Sequence, residues 1–514
     1  MSEFAAIIEA MRRTVPPGRA RLGDTDVSAL RDLTAALMSA RPEAVSEYQR
    51  FLAVADRGLC LPEEQVTAKL RDATVLITGG TGCIGSALMR QIAARRPARL
   101  VSVSRGVTQA AVPQDGAEYL TVDVTDRGAI ERVVADVKPD IVFHLAAQRS
   151  PGLAETEVRR TASTNVLGVR NILAAASGAG ARQVVLASTG KALRPYSPEV
   201  YTASKRAAEW IGVAAAANGE VTCSAARFTH VIDNSIIHGR LLDWSRSGVP
   251  VGNAPPVATP EGTVGLPRRG MEGEQPGSGR GGTVGPPRGG MGGAEPPMSR
   301  GGVGGIAPPE VKAIRLHSAD IAFYVQSALE SAQLLLIAML GAVPGEFRVH
   351  AIADLGWPVS LLDVALGTLA AAGSLTPVYI SGYDPGYEEV PFPGLYDPAT
   401  AGDVSPLLNA FEAAALTAKP CPMVDTFTME MVADPAAPKL LAGLESAFDR
   451  GLCDAEIRQA LDDLSWSLLD ATLAAADPAV LARSARLTRL HEKAMSPVHL
   501  RVTRAINAHA GNRS

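Results

Sequence analysis

The sequence has few of the features that mark a secreted, metal-binding or nucleic-acid-binding protein. Its 514 residues include five scattered cysteines and no CxxC pair, which argues against a disulfide framework or a structural zinc site. Aromatic residues make up only 4% of the chain, so we expect an interior packed by alanine, valine and leucine. The formal net charge is only -4, and the absence of a basic excess argues against a nucleic-acid partner.

The sequence also lacks the hydrophobic segments that direct a chain into or across a membrane. The N-terminal stretch MSEFAAIIEAMRR carries an acidic residue early and has no long apolar core, unlike a signal peptide. The apolar run 334–340 is shorter than the roughly 20 residues that a membrane-spanning helix needs. We therefore expect a soluble protein of the reducing cytoplasm, with no membrane partner and no bound metal.

One internal segment differs from the rest in composition. Residues 252–309 are dominated by Gly, Pro and Arg and contain two near copies, GTVGLPRRGM from Gly262 and GTVGPPRGGM from Gly282. Such a segment buries too little apolar surface to offset the entropy lost on ordering, which predicts a disordered insertion. A mobile substrate lid and an RNA contact are alternatives, and the lack of interleaved aromatic residues argues against RNA.

The most informative stretch is 74–105, TVLITGGTGCIGSALMRQIAARRPARLVSVSR, which has the pattern of a strand, a glycine turn, a helix and a second strand. Its glycines Gly79, Gly82 and Gly85 suit a turn with unusual dihedral angles, close approach to a pyrophosphate and tight packing of helix on strand. The N-terminus of the following helix directs free N–H groups toward an anion. This pattern predicts a dinucleotide-binding site.

Strand and helix patterns continue to alternate after this stretch. Apolar runs at 119–122, 141–145 and 184–187 are separated by helical patterns at 130–137 and 164–176. Such alternation predicts an α/β fold with a Rossmann-type, doubly wound parallel sheet. Ligands of such sheets bind at the carboxyl ends of the strands, so we expect the site residues there.

The residues at the end of the second strand bear on the choice between NAD and NADP. An acidic residue there accepts hydrogen bonds from the ribose 2′-hydroxyl of NAD, whereas a basic residue suits the 2′-phosphate of NADP. This strand ends in Ser104 and Arg105, which favours NADP, with NAD as the alternative. Arg105 could equally be an ordinary exposed arginine.

A Tyr–Lys pair follows the strand pattern that ends in Ser188 and Thr189. Tyr201 and Lys205 are four residues apart in a helical segment and therefore share one helix face. An ammonium beside a phenol stabilises the phenolate and lowers a pKa that is ordinarily about 10. The pair could then exchange a proton with a carbinol at neutral pH.

Together these motifs resemble the extended short-chain dehydrogenase/reductases. More narrowly, they resemble the polysaccharide-biosynthesis branch that contains UDP-GlcNAc 4,6-dehydratases and UDP-sugar epimerases. The similarity runs from about residue 60 to 390, with a gap at the insertion. The stretches that carry it are TVLITGGTGCIGSALMRQI, KPDIVFHLAAQ, TNVLGVRNILAAA, VVLASTGKA, YTASKRAAEW and AARFTHV, and beyond the insertion IRLHSADIAFYV, FRVHAIADLGWPVSLLDVA and SGYDPGYEE.

The resemblance implies a role for each matching residue. Tyr201 would be the acid/base of hydride transfer, Lys205 would hold the cofactor ribose and tune Tyr201, and Thr189 would hydrogen bond the reacting hydroxyl. Lys191 matches the lysine that removes the sugar C5 proton in the dehydratases. The cofactor would contact Lys205 and the residues Gly79, Thr81, Gly82, Cys83, Ile84, Gly85, Ser104, Arg105, Asp123, Val124, Leu145, Ala146 and Ala147.

Two positions depart from the family pattern. Gly190 stands where the dehydratases carry the aspartate that protonates the departing C6 oxygen, and Glu199 or Tyr196 are the nearby alternatives for that acid. Asp384 stands where an arginine would face the substrate diphosphate, although an aspartate before proline also suits an ordinary turn. Arg149, at a nearby family lysine position, keeps one positive charge.

The remaining segments complete a five-part division. We expect a helical N-terminal extension at 1–70, an NAD(P)-binding Rossmann domain at 71–251, the insertion, a substrate-binding domain at 310–397 and a helical C-terminal extension at 398–514. The N-terminal helices would pack on the core or on a second subunit. In the substrate region we expect a helix opening at 318–322, a strand at 347–350 and a helix at 361–369.

These observations leave three functions open. The first is oxidation and epimerisation of a nucleotide-linked sugar or related carbinol by a cytoplasmic enzyme that uses NADP or NAD, in a homo-oligomer. The second is a nucleotide-sugar 4,6-dehydratase in which another group replaces the missing acid. The third is a cofactor-binding scaffold protein without catalysis, whose additional helices bind a partner.

Overall fold

The structure is a computed structural model that describes residues on both sides of the insertion. The predicted disorder of 252–309 concerns residues outside this description. The described residues are 2–16, 22–106, 113–234, 236–246, 313–382, 392–400, 402–417, 419, 421–429, 436–451, 453–491 and 495–511.

Short strands and longer helices alternate through the first half of the chain, and helices dominate its end. The strands are β1 Thr74–Thr78, β2 Arg99–Ser104, β3 Ala117–Thr121, β4 Ile141–His144, β5 Gln183–Thr189, β6 Thr222–Phe228, β7 His230–Val231, β8 Ile314–Leu316, β9 Ala322–Phe323, β10 Val325–Gln326, β11 Phe347–Ile352, β12 Val359–Ser360, β13 Val378–Ile380 and β14 Val424–Met429. The α-helices are α1 Glu3–Thr14, α2 Asp24–Ala40, α3 Glu43–Ala53, α4 Glu63–Leu70, α5 Cys83–Ala93, α6 Arg127–Val137, α7 Pro151–Thr156, α8 Val158–Ala162, α9 Gly168–Gly178, α10 Val200–Ala217, α11 Ile236–Arg246, α12 Ala328–Gly341, α13 Leu361–Ala372, α14 Ala410–Ala413, α15 Ala436–Asp449, α16 Asp454–Ala475, α17 Pro478–His491 and α18 Pro497–Gly511.

Eight strands form one large sheet in the order β14-β11-β6-β5-β4-β1-β2-β3. All neighbours pair in parallel except β14, which runs antiparallel to β11 at one edge. The strands at the centre of the sheet are almost entirely buried, as expected when helices cover both faces. The predicted doubly wound parallel sheet is confirmed, and its strand order reverses between β1 and β4.

The sheet continues beyond the boundary that we predicted at residue 251. After the insertion the chain returns as α12, where the Met339 carbonyl accepts a hydrogen bond from Gln183 Nε2 at 2.7 Å and the Ala338 carbonyl accepts one from Ser224 Oγ at 2.9 Å. The next strand, β11, then pairs with β6. Residues 310–397 are therefore divided between this sheet and a second hydrophobic core.

The prediction of a helix opening at 318–322 is wrong. That segment is a turn leading into β9, and the helix begins ten residues later, at Ala328. Its start is fixed by a capping box in which Ser327 Oγ accepts from the Glu330 N–H at 2.9 Å and Glu330 Oε2 accepts from the Ser327 N–H at 2.8 Å. The predicted strand and helix further along match β11 and α13.

The second core joins the N-terminal helices to the segments after the insertion. Helices α1–α3 pack against α13 and the β8–β13 pair, and the Val378 N–H donates to Thr34 Oγ1 at 2.9 Å. An ion pair between Arg41 and the nearly buried Asp363 joins the same two regions. The N-terminal helices therefore pack against this second core of their own chain.

The C-terminal helices form a third core that lies against the large sheet domain. Trp466 of α16 packs edge-on against Tyr196, with ring centroids 4.9 Å apart, and the Arg501 guanidinium of α18 lies 3.8 Å from the centroid of the same indole. As predicted for this extension, helices dominate it, and Asp477 caps α17 by accepting from the Ala479 N–H at 2.8 Å. The predicted helical extension also contains one strand of the main sheet, β14.

Within the described ranges, no helix combines the length and the apolar character needed to cross a membrane.

Packing of α3 on α13 depends on Gly367, because a Cβ there would lie 2.3 Å from Tyr48 Cβ and 2.6 Å from the Ala44 carbonyl oxygen. We predict that Gly367→Ala destabilises the protein by about 1–3 kcal/mol and lowers its melting temperature, since the helices must separate. Gly443, exposed in α15 with open space around it, is the matched control. Gly443→Ala should raise stability slightly through helix propensity. Equal calorimetric effects of the two substitutions would contradict the packing assignment.

Candidate active site

The glycine turn between β1 and α5 leaves room only for backbone. Gly79 has φ of +76°, and a Cβ there would lie 3.0 Å from the Ala146 nitrogen. A Cβ on Gly85 would lie 2.2 Å from the Gly79 carbonyl oxygen, which explains the third glycine. Helix α5 begins at Cys83 with no side-chain cap from Gly82, so its first N–H groups suit an anionic ligand. These features fit the pyrophosphate of a dinucleotide.

The turn lies where the strand order of the sheet reverses, which is where open α/β sheets bind ligands. Thr78, the last residue of β1, accepts hydrogen bonds from the Leu145 and Ala146 N–H groups, both at 3.2 Å. Its hydroxyl also lies 2.8 Å from His144 Nδ1. Since both acceptor positions of the hydroxyl are used, Thr78 donates to His144. The predicted residues of the turn and of the loop after β4 are therefore neighbours.

The predicted cofactor residues that follow β2 and β3 lie on two adjacent loops. The Val122 N–H donates to the Ser104 carbonyl at 2.8 Å, which places Arg105 beside the loop that carries Asp123. Asp123 Oδ1 accepts from both the Thr125 N–H and its hydroxyl at 2.9 Å, so this carboxylate shapes its own loop. Arg105 is exposed at the edge of the site.

The proposed catalytic residues meet between β5 and α10. Thr189, at the end of β5, lies next to Tyr201 and lowers the pKa of its phenol. Lys205 Nζ donates to the Ala187 carbonyl at 2.6 Å, so the lysine of the Tyr–Lys pair is attached to the same strand. Burial lowers the pKa of Lys205 to about 8, and the nearby carboxylate of Glu209 limits that decrease. The predicted grouping of Thr189, Tyr201 and Lys205 is present.

The environment of Tyr201 differs from the one that we predicted from the sequence. Burial raises the pKa of Tyr201 above its ordinary value, and the neighbouring Thr189 and the positive charge of Arg149 oppose that rise. Arg149 also opposes the increase in the pKa of Cys83, which burial and then Asp233 raise to about 12. One cation thus acts on both the glycine turn and the tyrosine, which indicates that they face the same region. At neutral pH Tyr201 is a phenol and a proton donor.

Neither predicted substitute for the missing acid is placed to act as one. Despite the opposing effect of burial, Arg194, Lys191 and Thr202 lower the pKa of Glu199, so it is a carboxylate at neutral pH. Tyr196 donates to Asp462 Oδ1 at 2.6 Å, away from β5, and burial followed by this contact raises its pKa further.

The position of the missing aspartate is filled by another part of the chain. A Cβ on Gly190 would lie 2.7 Å from Leu407 Cδ2 and 3.4 Å from the Phe228 carbonyl oxygen. An aspartate could enter only if Leu407 moved, and its carboxylate would meet an apolar group. Lys191 lies next to this contact, with its Nζ 3.8 Å from Glu199 Oε2. Asp384, the second departure from the family pattern, lies outside the described residues.

Comparison with known proteins agrees with this geometry. Residues 75–235 match the model of the NAD dependent epimerase/dehydratase family. This segment is an epimerase/dehydratase domain. Its boundaries include the glycine turn, the Thr189 strand and the helix that carries Tyr201 and Lys205.

Individual relatives cover less of the chain. A probable polysaccharide biosynthesis protein, EpsC of Bacillus subtilis, is 28% identical over 186 residues, covering 34% of this chain and 31% of that protein. The dTDP-L-rhamnose 4-epimerase of Burkholderia thailandensis is 34% identical over 114 residues, covering 21% of this chain and 31% of the relative. The alignments thus span about a third of the length of these relatives. Among solved structures, the UDP-glucose 4-epimerase of Thermus thermophilus, in complex with NAD, has a TM-score of 0.44 at 17% identity, covering 61% of this chain and 88% of that one.

Several residues around the epimerase/dehydratase site were not predicted from the sequence. Glu155 Oε1 accepts from the Val200 N–H at 2.8 Å and holds the start of α10, and Arg458 of α16 binds the same glutamate. Glu209 could have been found, because it lies one turn after Lys205 and shares its helix face. Glu412 of α14 also contacts this region, through Arg227 of β6. No sequence pattern near Glu412 indicates this contact, because the residue lies about 200 positions after α10.

The glycine cradle of the epimerase/dehydratase domain makes a direct prediction about cofactor binding. Gly85→Ala should weaken NAD(P) binding at least about tenfold, because its Cβ would displace the Gly79 carbonyl and distort the turn. Gly152→Ala, at a position with no atom near the new Cβ, serves as the control. Cofactor titration by intrinsic fluorescence measures both. Unchanged affinity in Gly85→Ala would exclude this turn as the pyrophosphate site.

Proposed function

We propose that this chain is an NADP-dependent enzyme that oxidises one carbinol of a nucleotide-linked sugar to a transient ketone and reduces it again, with epimerisation as the outcome. The observation that carries the proposal is the attachment of α10 to the strand beside the dinucleotide cradle, where the Lys205 ammonium donates to the Ala187 carbonyl at 2.6 Å and the buried phenol of Tyr201 lies next to Thr189. A scaffold protein without catalysis would not need a tyrosine, lysine and threonine in this arrangement. Cytoplasmic localisation and a homo-oligomeric state stay predictions.

Each residue of the proposed site has a separate role in proton transfer or in positioning. The bound dinucleotide supplies a hydride acceptor and, in the return step, a hydride donor. When the ketone is reduced, Tyr201 donates its phenolic proton to the new alkoxide, and Thr189 holds that oxygen in place. When the carbinol is oxidised, the phenolate of Tyr201 accepts the proton, and Arg149 lowers the cost of its charge. Lys205, held on the Ala187 carbonyl, is placed for the cofactor ribose.

Elimination of water is the second candidate reaction, and the structure provides no acid for it at the predicted position. Lys191 could remove a proton next to the ketone, which is the first half of a dehydration. Protonation of the departing oxygen would then need a donor near Gly190, where Leu407 lies instead. Among the described residues, Glu199 is held as an ion-paired carboxylate and Tyr196 faces α16. We therefore favour epimerisation over dehydration.

The test of this reaction is incubation with UDP-GlcNAc and related nucleotide sugars in deuterated water, followed by chromatography and mass analysis. A separable isomer of unchanged mass indicates epimerisation at the oxidised carbon, and added deuterium indicates proton removal next to the ketone. A product lacking the mass of water indicates dehydration and contradicts our preference. Tyr201→Phe should reduce turnover at least about 10²-fold while cofactor binding persists, and full turnover in this variant would reject the proposal.

We propose NADP as the preferred cofactor because Arg105 follows β2, next to the position of the adenosine ribose. Arg105→Ala should weaken NADP binding about tenfold and leave NAD binding unchanged, since a charge-assisted contact with the 2′-phosphate is lost. Arg127, exposed on α6 and paired with Glu131, is the control position. Calorimetric titration with both cofactors measures the effect. Equal losses for NAD and NADP would contradict this role of Arg105.

A further inference from the structure

A buried cluster of four charges lies directly behind the Tyr–Lys helix. Arg227 of β6 binds Glu209 of α10 through Nε and Nη2 at 2.9 and 2.8 Å, and binds Glu412 of α14 through Nη1 and Nη2 at 2.6 and 2.8 Å. Arg206 of α10 joins at 2.7 Å from Glu412. The exposed fractions of the Arg227, Glu209, Glu412 and Arg206 side chains are 0%, 1%, 2% and 9%.

The charges in this cluster balance only when all four residues are present. Two arginines face two glutamates, and each glutamate uses both of its carboxylate oxygens. A buried ion pair that loses one partner leaves a charge with no compensation, which is costly in a low-dielectric interior. Without Glu412, both arginines would depend on the single carboxylate of Glu209.

Glu209 has a second partner on the catalytic strand. Ser188 Oγ donates to Glu209 Oε1 at 2.6 Å. Ser188 lies between Ala187, whose carbonyl accepts from the Lys205 ammonium, and Thr189, which lies next to Tyr201 and lowers the pKa of its phenol. Glu209 thus fixes the position of α10 relative to β5 at the site itself.

Glu412 is held firmly in place by the segment that precedes it. The Asn409 N–H donates to Glu412 Oε2 at 3.1 Å, and Asn409 Oδ1 accepts from the Glu412 N–H at 2.8 Å. Asn409 Nδ2 also donates to the Leu193 carbonyl at 2.6 Å, and the Leu407 carbonyl accepts from Arg227 at 3.1 Å. The C-terminal region therefore presents a preorganised carboxylate to the back of the site.

We propose that Glu412 is a positioning residue for Lys205 and Tyr201, acting from outside the epimerase/dehydratase domain. It shares Arg227 and Arg206 with Glu209, and so leaves Glu209 able to bind Ser188 and hold α10 in register with β5. This inference rests on the proposed function, because it concerns the lysine that we assign to the cofactor. It gives the C-terminal helical region a role in the reaction.

The experiment is a double-mutant cycle on cofactor affinity, which does not require turnover. Glu412→Gln keeps the side-chain shape and removes its charge, and should weaken NADP binding about fivefold. In a protein that already carries Lys205→Met, the Glu412→Gln substitution should weaken NADP binding less than about twofold. The contact between Lys205 and the cofactor, through which Glu412 acts, is then already lost. Glu412→Asp, which keeps the charge, should restore most of the affinity and serves where the glutamine variant does not fold.

Asp363→Asn is the matched control, since it breaks a buried carboxylate–arginine pair in the second core. It should lower the melting temperature without changing cofactor affinity. Equal effects of Glu412→Gln in the presence and absence of Lys205 would overturn the proposal, as would an unchanged affinity. If the wild-type protein binds NADP but converts no nucleotide sugar, the proposed reaction fails while the cycle still decides the role of Glu412.

Discussion

Burial of the first fourteen residues of α10 is the constraint on which the rest of the structure depends. Every side chain from Val200 to Val213 is buried, although this stretch includes Lys205, Arg206 and Glu209. Charged groups are rarely buried without partners, so each must find a compensating group on a neighbouring element. The large sheet supplies Arg227 and the Ala187 carbonyl, and the C-terminal region supplies Glu412. The helix that carries Tyr201 is thereby held from both sides.

The C-terminal helices are best understood from this requirement. They cover α10 and α8, and they anchor the start of α10 through Arg458 and Glu155. They also place Leu407 against Gly190, where the resemblance led us to look for a proton donor. One region thus stabilises α10 and packs a leucine against the position where the resemblance implies an acid. Both effects fit a site that exchanges hydride and one proton and does not expel water.

The sequence was sufficient to predict the features that depend on local patterns. The strands β1, β2, β4 and β5, the glycine turn and the helix at Tyr201 all follow from periodicity, glycine placement and spacing. The return of β11 and β14 to the same sheet could not be predicted, because strand pairing across a long insertion has no local signal. The same holds for the site. The spacing of Tyr201 and Lys205 predicts that they share one helix face, but the effects of burial and of Arg149 on the pKa of Tyr201 depend on the folded structure.

The central claim is that Tyr201 and the glycine cradle form one redox site for a sugar carbinol. Stopped-flow absorbance at 340 nm tests it most directly, since reduced nicotinamide absorbs there. Mixing the protein and bound NADP with a nucleotide sugar should produce a transient rise at this wavelength, and the rise should be absent in Tyr201→Phe. A sugar that binds tightly but gives no transient, or the same transient in both proteins, would contradict the account.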